Sequence, residues 1–215
     1  MAVKVISREA KKDESQKAYL IGEQRMLKRF SKEREGSLSG SDEGGAGINW
    51  MIWLEASWAD TLNYYLLTPA FPVTIEDMLE QGGRFPPAIT RFYAIELIIA
   101  VDTLHAKGIV HRDIKGANVF ISDSGHVVLG DFGFSKDFGQ APTPPEIIYQ
   151  PYWPYGRDQV MVDSSTPRRH PETLVFATRT PVGSYFESPP EIWEQVWYSF
   201  GVDWWALAVT VFRLL

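Results

Sequence analysis

The chain has 215 residues, 45% of them hydrophobic and 22% charged, with a formal net charge of −6 and no cysteine. That length and apolar content suffice for a substantial core in one or two domains. The acidic balance argues against nucleic acid or an anionic membrane surface as the main partner, the absence of cysteine excludes a disulfide framework and thiol chemistry, and the longest apolar run, Leu97–Val101, is far too short to span a bilayer.

In chain order, Ala2-Val3-Lys4-Val5-Ile6 predicts a short β-branched strand with a lysine at its centre. Lysine is common on edge strands. Asp13 to Phe30 predicts a helix, because Tyr19, Glu23, Leu27 and Phe30 recur at i, i+4, i+8 and i+11 on one face. Glu23 therefore lies on the apolar stripe. A buried carboxylate needs a partner, and Lys4 is the candidate. Ser31 to Gly47 is rich in Gly, Ser and charge and reads as a flexible insertion. It follows a helix and has no G-x-G-x-x-G, so it is not a phosphate loop. Ile48–Ala59 and Leu62–Thr68 predict two strands, the second stopped by Pro69. Thr74–Glu80 predicts a short helix and Pro87–Lys107 a longer one, with Pro87 in its first turn, apolar positions at Phe92, Ile95, Ile99 and Leu104, and Gly108 closing it.

Ile109 to Gly133 organises the rest. Val119–Ile121 and His126–Leu129 predict an antiparallel hairpin around the turn residues Ser122-Asp123-Ser124-Gly125. Such a hairpin returns the chain to its starting point, so Asn118 and Asp131 should sit side by side. An amide oxygen and a carboxylate there suit a hard cation such as magnesium. Asp113 and Lys115 place a base and a cation next to them. Ala141 to Pro171 is rich in Pro and Tyr, has no periodicity, and reads as a long insertion.

His111-Arg112-Asp113-Ile114-Lys115-Gly116-Ala117-Asn118 and Asp131-Phe132-Gly133 resemble the catalytic loop and metal-binding triplet of the protein kinase family. The Ala2–Lys4 strand with Glu23, the Gly183-Ser184…Pro190-Glu191 stretch and Asp203-Trp204-Trp205 resemble further motifs of the AGC-like serine/threonine members. The resemblance implies an α+β, bilobal kinase-like fold, with a partial small lobe over 1–68, a partial large lobe over 69–215 and an activation segment over 131–191. It implies ATP and Mg2+ as cofactors. Asp113 would orient the acceptor hydroxyl and take its proton, and Lys115 would neutralise the moving phosphoryl group. Lys4, held by Glu23, would grip the nucleotide phosphates, and Asn118 and Asp131 would hold magnesium.

In the same resemblance Leu67 takes the gatekeeper position, and Thr68 and Ala70 meet adenine from the hinge. Ser184 bridges Asp113 and Lys115, and Thr180 is the activation-segment phosphosite, facing Arg112. His111, Arg112, Glu191 and Asp203 give structural support, with Asp203 accepting backbone N–H bonds from His111 and Arg112. Implied partners are a protein substrate with a Ser or Thr acceptor and an upstream activating kinase, in the cytoplasm or nucleus, with no nucleic acid and no membrane segment. No G-x-G-x-x-G strand pair precedes Ala2, and the family's last helices have no counterpart before Leu215. The resemblance therefore suggests a fragment, with a catalytically inactive kinase-like binding or scaffold module as the alternative. Thr74 and Ala117 stand where several AGC kinases carry acids that read basic substrates, so that preference is not implied here.

Overall fold

The computed structural model describes residues 1–9, 14–38, 50–139, 178–195 and 198–215. The expected insertion at Ala141–Pro171 and the second half of the Ser31–Gly47 loop lie outside the described residues. Among those described, the fold is α+β, with a small sheet-bearing part followed by a mainly helical part.

Strand β1 (Ala2–Ser7) lies antiparallel to β3 (Asn63–Thr68), which also pairs with β2 (Ala56–Ala59), giving the order β1-β3-β2. Helix α1 (Glu14–Leu38) packs on the inner face of this sheet and buries Leu20, Glu23, Met26, Leu27 and Phe30. Glu23, Leu27 and Phe30 of the expected stripe are buried, and Tyr19 is half-buried at its start. The helix runs eight residues beyond Phe30, because Lys32, Glu33, Arg34 and Glu35 are good helix formers on an open surface. Ser31 Oγ lies 3.0 Å from the Leu27 carbonyl one turn back and accepts the Leu54 N–H at 3.1 Å, linking the helix to the following segment.

Of the long strand expected over Ile48–Ala59, the described residues, which resume at Trp50, form the strand β2 alone. Met51, Ile52 and Leu54 are buried, but they fill the core beneath the sheet rather than extend it, and the Ile52 N–H bonds the Leu129 carbonyl at 2.9 Å. A short buried apolar run has the composition of a strand without its pairing.

Strand β4 (Val73–Thr74) leads into α2 (Ile75–Gly82). Thr74 caps α2: its Oγ1 accepts the Asp77 N–H at 3.1 Å, and Asp77 accepts the Thr74 N–H at 2.8 Å. Helix α3 (Pro87–Ala106) follows, and Gly108, at φ 75°, turns the chain out of it. Its buried face carries Tyr93, Leu97, Ala100, Val101 and Leu104. Leu104 is on that face as expected, whereas Phe92, Ile95 and Ile99 are exposed. The period is right and the phase is rotated, because the helix has apolar residues nearly all round and only packing selects a face.

Strands β5 (Ile109–Val110), β6 (Val119–Ile121) and β7 (Val127–Leu129) frame the loop His111–Asn118. The β6–β7 hairpin forms with Val119 opposite Leu129, and β4 extends it to three strands. After Asp131, β8 (Lys136–Asp137) pairs back onto β5. Helices α4 (Pro190–Trp193) and α5 (Gly201–Leu214) complete the described chain, and one continuous core runs from Leu20 to Leu214. No helix among the described residues is long and apolar enough to cross a membrane.

Candidate active site

The loop between β5 and β6 is held by hydrogen bonds that converge on Asp113, which is buried. Lys115 Nζ donates to Asp113 Oδ2 at 2.9 Å and to Ser184 Oγ at 2.7 Å, and Ser184 Oγ donates to Asp113 Oδ1 at 2.7 Å. The expected Ser184 bridge is therefore present. Asn118 Nδ2 donates to the Asp113 carbonyl at 2.8 Å and to Oδ2 at 2.9 Å. Flanked by two oxygens, that atom must be the amide nitrogen, which leaves Asn118 Oδ1 as the atom available to a cation. His111 joins the two ends of the site. Its Nδ1 accepts the Asp113 N–H at 3.2 Å, and its Nε2 donates to the Gly130 carbonyl at 3.0 Å.

The hairpin closes as expected: Gly130 N–H bonds the Asn118 carbonyl at 2.9 Å, which sets Asp131 next to Asn118. Asp131 has φ 55° and Arg112 has φ 70°, left-handed conformations that are uncommon outside glycine. Both flank the Asp113–Asn118 cluster, and strained backbone of this kind concentrates at functional sites. Lys4 Nζ pairs with Glu23 Oε1 at 2.7 Å, as expected, and also with Asp131 Oδ1 at 3.0 Å. Burial pulls the Lys4 pKa down, but the charges of Glu23 and Asp131 outweigh it and raise the ammonium above its usual value. Burial pushes the Asp131 carboxyl up, yet Lys4, by charge and hydrogen bond, then His111 and the Gly133 N–H bring it below its usual value. Both groups are ionised at neutral pH. Asn118 Oδ1 and the Asp131 carboxylate fit a magnesium ion that takes its remaining ligands from water and phosphate.

Behind this site Asp203, fully buried, accepts the backbone N–H groups of His111 and Arg112 at 2.8 Å each. It also accepts a proton-bearing His105 Nε2 at 2.8 Å. Burial raises its pKa, and the His105 bond leads the interactions that bring it below the usual carboxylate value. Phe132 is buried between His111 and Phe30, with ring centres 4.9 Å from each. This stack ties α1 to the catalytic loop.

The strand register sets Leu66, not Leu67, opposite Lys4, and Thr68 opposite Ala2. Directly paired residues share a face, so Leu66, Thr68 and Lys4 line one side of the sheet and Leu67 lies on the other. Counting from a downstream motif missed this by one residue. Ala70 is exposed just beyond β3.

Thr180 is exposed, with its Oγ1 3.3 Å from that of Thr178. The Arg112 guanidinium does not meet it directly. Arg112 Nε donates to the Phe134 carbonyl at 2.6 Å and Nη1 to the Tyr198 hydroxyl at 3.1 Å. Glu191 lies in the first turn of α4.

Sequence reasoning passed over Tyr198 and Arg213, and placed Gly183 in a motif without giving its own reason. Gly183 has φ 99°, and any Cβ there would collide with the Arg112 carbonyl. Arg213 pairs with Glu187 at 2.9 Å and Glu76 at 2.5 Å, joining α5, the Ser184–Glu191 stretch and α2. Its position three residues after Thr210 on α5 gives no local sign of those partners.

Comparison with known proteins settles the family. The family described as protein kinase domain matches residues 1–215. The chain belongs to the protein kinase family. This kinase domain is 31% identical over 195 residues to the serine/threonine-protein kinase CBK1 of Candida albicans, covering 80% of this chain and 26% of that protein. It is 29% identical to the serine/threonine-protein kinase cot-1 of Neurospora crassa, over 77% of this chain and 30% of that one. To human serine/threonine-protein kinase LATS1 it is 28% identical, over 79% and 16%. The kinase domain thus spans between about a sixth and a third of the length of these relatives.

Proposed function

We propose that this chain carries the catalytic centre of a protein serine/threonine kinase, which transfers the γ-phosphoryl group of ATP to a protein hydroxyl. The observation that supports it most is the joint assembly of two charge sets. Lys4, Glu23 and Asp131 meet within 3.0 Å, and Asp113, Lys115, Asn118 and Ser184 form a second cluster beside them at the open end of the same hairpin. A degenerate binding module has no need to keep both.

In the forward reaction the acceptor oxygen bonds to the γ-phosphorus as the bond from that phosphorus to the ADP oxygen breaks. Asp113 orients the acceptor and takes its proton. Lys115, already 2.9 Å from Asp113, lies where negative charge builds on the transferring group. Lys4 grips the α- and β-phosphates, with Glu23 holding its direction. Asn118 and Asp131 hold magnesium, which when bound neutralises charge on the phosphates. Thr68, on the Lys4 face at the end of β3, lies on the nucleotide side of the sheet. Neither exposed Ala117 nor Thr74, spent on capping α2, offers a carboxylate to a basic substrate residue.

The test is incorporation of phosphate from γ-labelled ATP into casein by the purified protein. Magnesium-dependent labelling of serine or threonine, abolished by EDTA and by Lys4→Met, is expected. ATP binding with no transfer to any of several protein substrates would overturn the kinase reading in favour of a non-catalytic module.

A further inference from the structure

The proposed kinase reading leaves one buried network without a role, and it surrounds Arg112. The Arg112 side chain is buried, and the partners of its guanidinium among the described residues are neutral: the Phe134 carbonyl and the Tyr198 hydroxyl. Tyr198 is itself buried, and its hydroxyl also bonds the Thr180 carbonyl. Arginine only donates and a carbonyl only accepts, so the phenol must take a hydrogen bond from Arg112 and give its own to Thr180. The Tyr198 backbone pairs with Thr178 in both directions at 2.9 Å. Three residues after Thr180, Gly183 runs against the Arg112 carbonyl at a distance that admits no side chain. Ser184 follows at once and bonds Asp113. The stretch from Thr178 to Ser184 is therefore tied to Arg112 at Tyr198 and at Gly183, and it ends on the proposed catalytic base.

The sequence assigned this tie to a phosphate on Thr180. We propose instead that Tyr198 is a positioning residue that performs it, so that the Ser184–Asp113–Lys115 cluster is assembled without phosphate at Thr180. The inference rests on the kinase reading for its activity readout alone.

The experiment compares the parent protein, phosphatase-treated parent, Thr180→Ala and Tyr198→Phe. Steady-state kinetics is measured alongside hydrogen exchange of peptides spanning residues 178–184. The phenylalanine variant removes one oxygen and keeps the ring. It is expected to lower kcat about tenfold or more and leave the KM for ATP within about threefold, because Lys4, Asn118 and Asp131 are untouched. A residue that only stabilised the fold would not split kcat from KM in this way. Exchange over 178–184 should rise in Tyr198→Phe and stay unchanged in Thr180→Ala. Phosphatase treatment and Thr180→Ala should each leave kcat within about twofold. A tenfold loss on dephosphorylation or in Thr180→Ala would overturn the proposal even if Tyr198→Phe fails to fold. Unchanged kcat and unchanged exchange in a folded Tyr198→Phe would also overturn it. If the parent itself transfers no phosphate, the kinase reading fails separately, and the exchange comparison still decides whether Tyr198 ties the segment.

Discussion

Replacing Asp203 by asparagine tests the frame beneath the catalytic loop while keeping the shape of the side chain. Asp203 Oδ1 accepts the Arg112 N–H, and Oδ2 accepts both the His111 N–H and His105 Nε2–H, all at 2.8 Å. An asparagine has one carbonyl oxygen, so its NH2 group must face at least one of these donors. An unsatisfied buried donor costs about 1–3 kcal/mol. Each bond that survives changes from charge-assisted to neutral, a loss of about 1 kcal/mol. Relief from burying a charge offsets part of this, leaving a net loss of about 2–4 kcal/mol against a total stability of about 5–15 kcal/mol for a typical domain. Urea unfolding followed by tryptophan fluorescence measures it, and the midpoint should fall with the slope unchanged. Asp102→Asn, exposed on α3, is the control and should stay within about 0.5 kcal/mol of the parent. A loss below about 1 kcal/mol for Asp203→Asn would refute the reasoning, since a buried backbone donor cannot be left so cheaply without an acceptor.

Gly183→Ala should lose stability or activity more than Gly82→Ala, because a Cβ at 183 meets the Arg112 carbonyl and one at 82 meets nothing within 4 Å; thermal melts of the two variants compare them. Arg213→Ala leaves the buried Glu187 without its guanidinium and should lower the melting temperature, whereas Arg91→Ala on the open face of α3 should not. Asp203, with a folded pKa below its ordinary 3.8, contributes stability that is fully present above that value and lost as pH falls beneath it, so Asp203→Asn should flatten the acid limb of the stability profile. Lys4 is raised and Asp131 lowered, so neither titrates between about pH 6 and 9, and nucleotide affinity over that window should carry no step from this pair; a step that vanishes in Lys4→Met would contradict it.

Much of the site was legible because its chemistry is local in sequence. Asp113, Lys115, Asn118 and Asp131 belong to one hairpin, and the turn residues between β6 and β7 fix how its ends meet. Glu23 was legible as a charge on an apolar stripe, a conflict that only a partner resolves. The misses have a common cause in packing. Helix α3 is apolar nearly all round, so Phe92, Ile95 and Ile99 could not be told from Leu97 and Val101 before the core was assembled. Met51–Leu54 has a strand's composition, but its backbone bonds go to Leu129 and to Leu27 on α1 rather than along one neighbouring strand. The face of Leu66 depends on the β1–β3 register, which a count from a downstream motif does not carry. Tyr198 and Arg213 act across 86 and 137 residues, respectively, and nothing in their own neighbourhoods marks them.

The proposed function turns on Asp113, whose carboxylate accepts bonds from Lys115, Asn118 and Ser184 and is proposed to act on the acceptor hydroxyl rather than on the nucleotide. The direct measurement is single-turnover transfer from magnesium-ATP to a protein substrate by the parent and by Asp113→Asn, with nucleotide affinity measured in parallel. The account predicts that the rate falls by about a thousandfold or more while ATP affinity changes by less than about threefold. A variant that transfers phosphate at close to the parent's rate would contradict it.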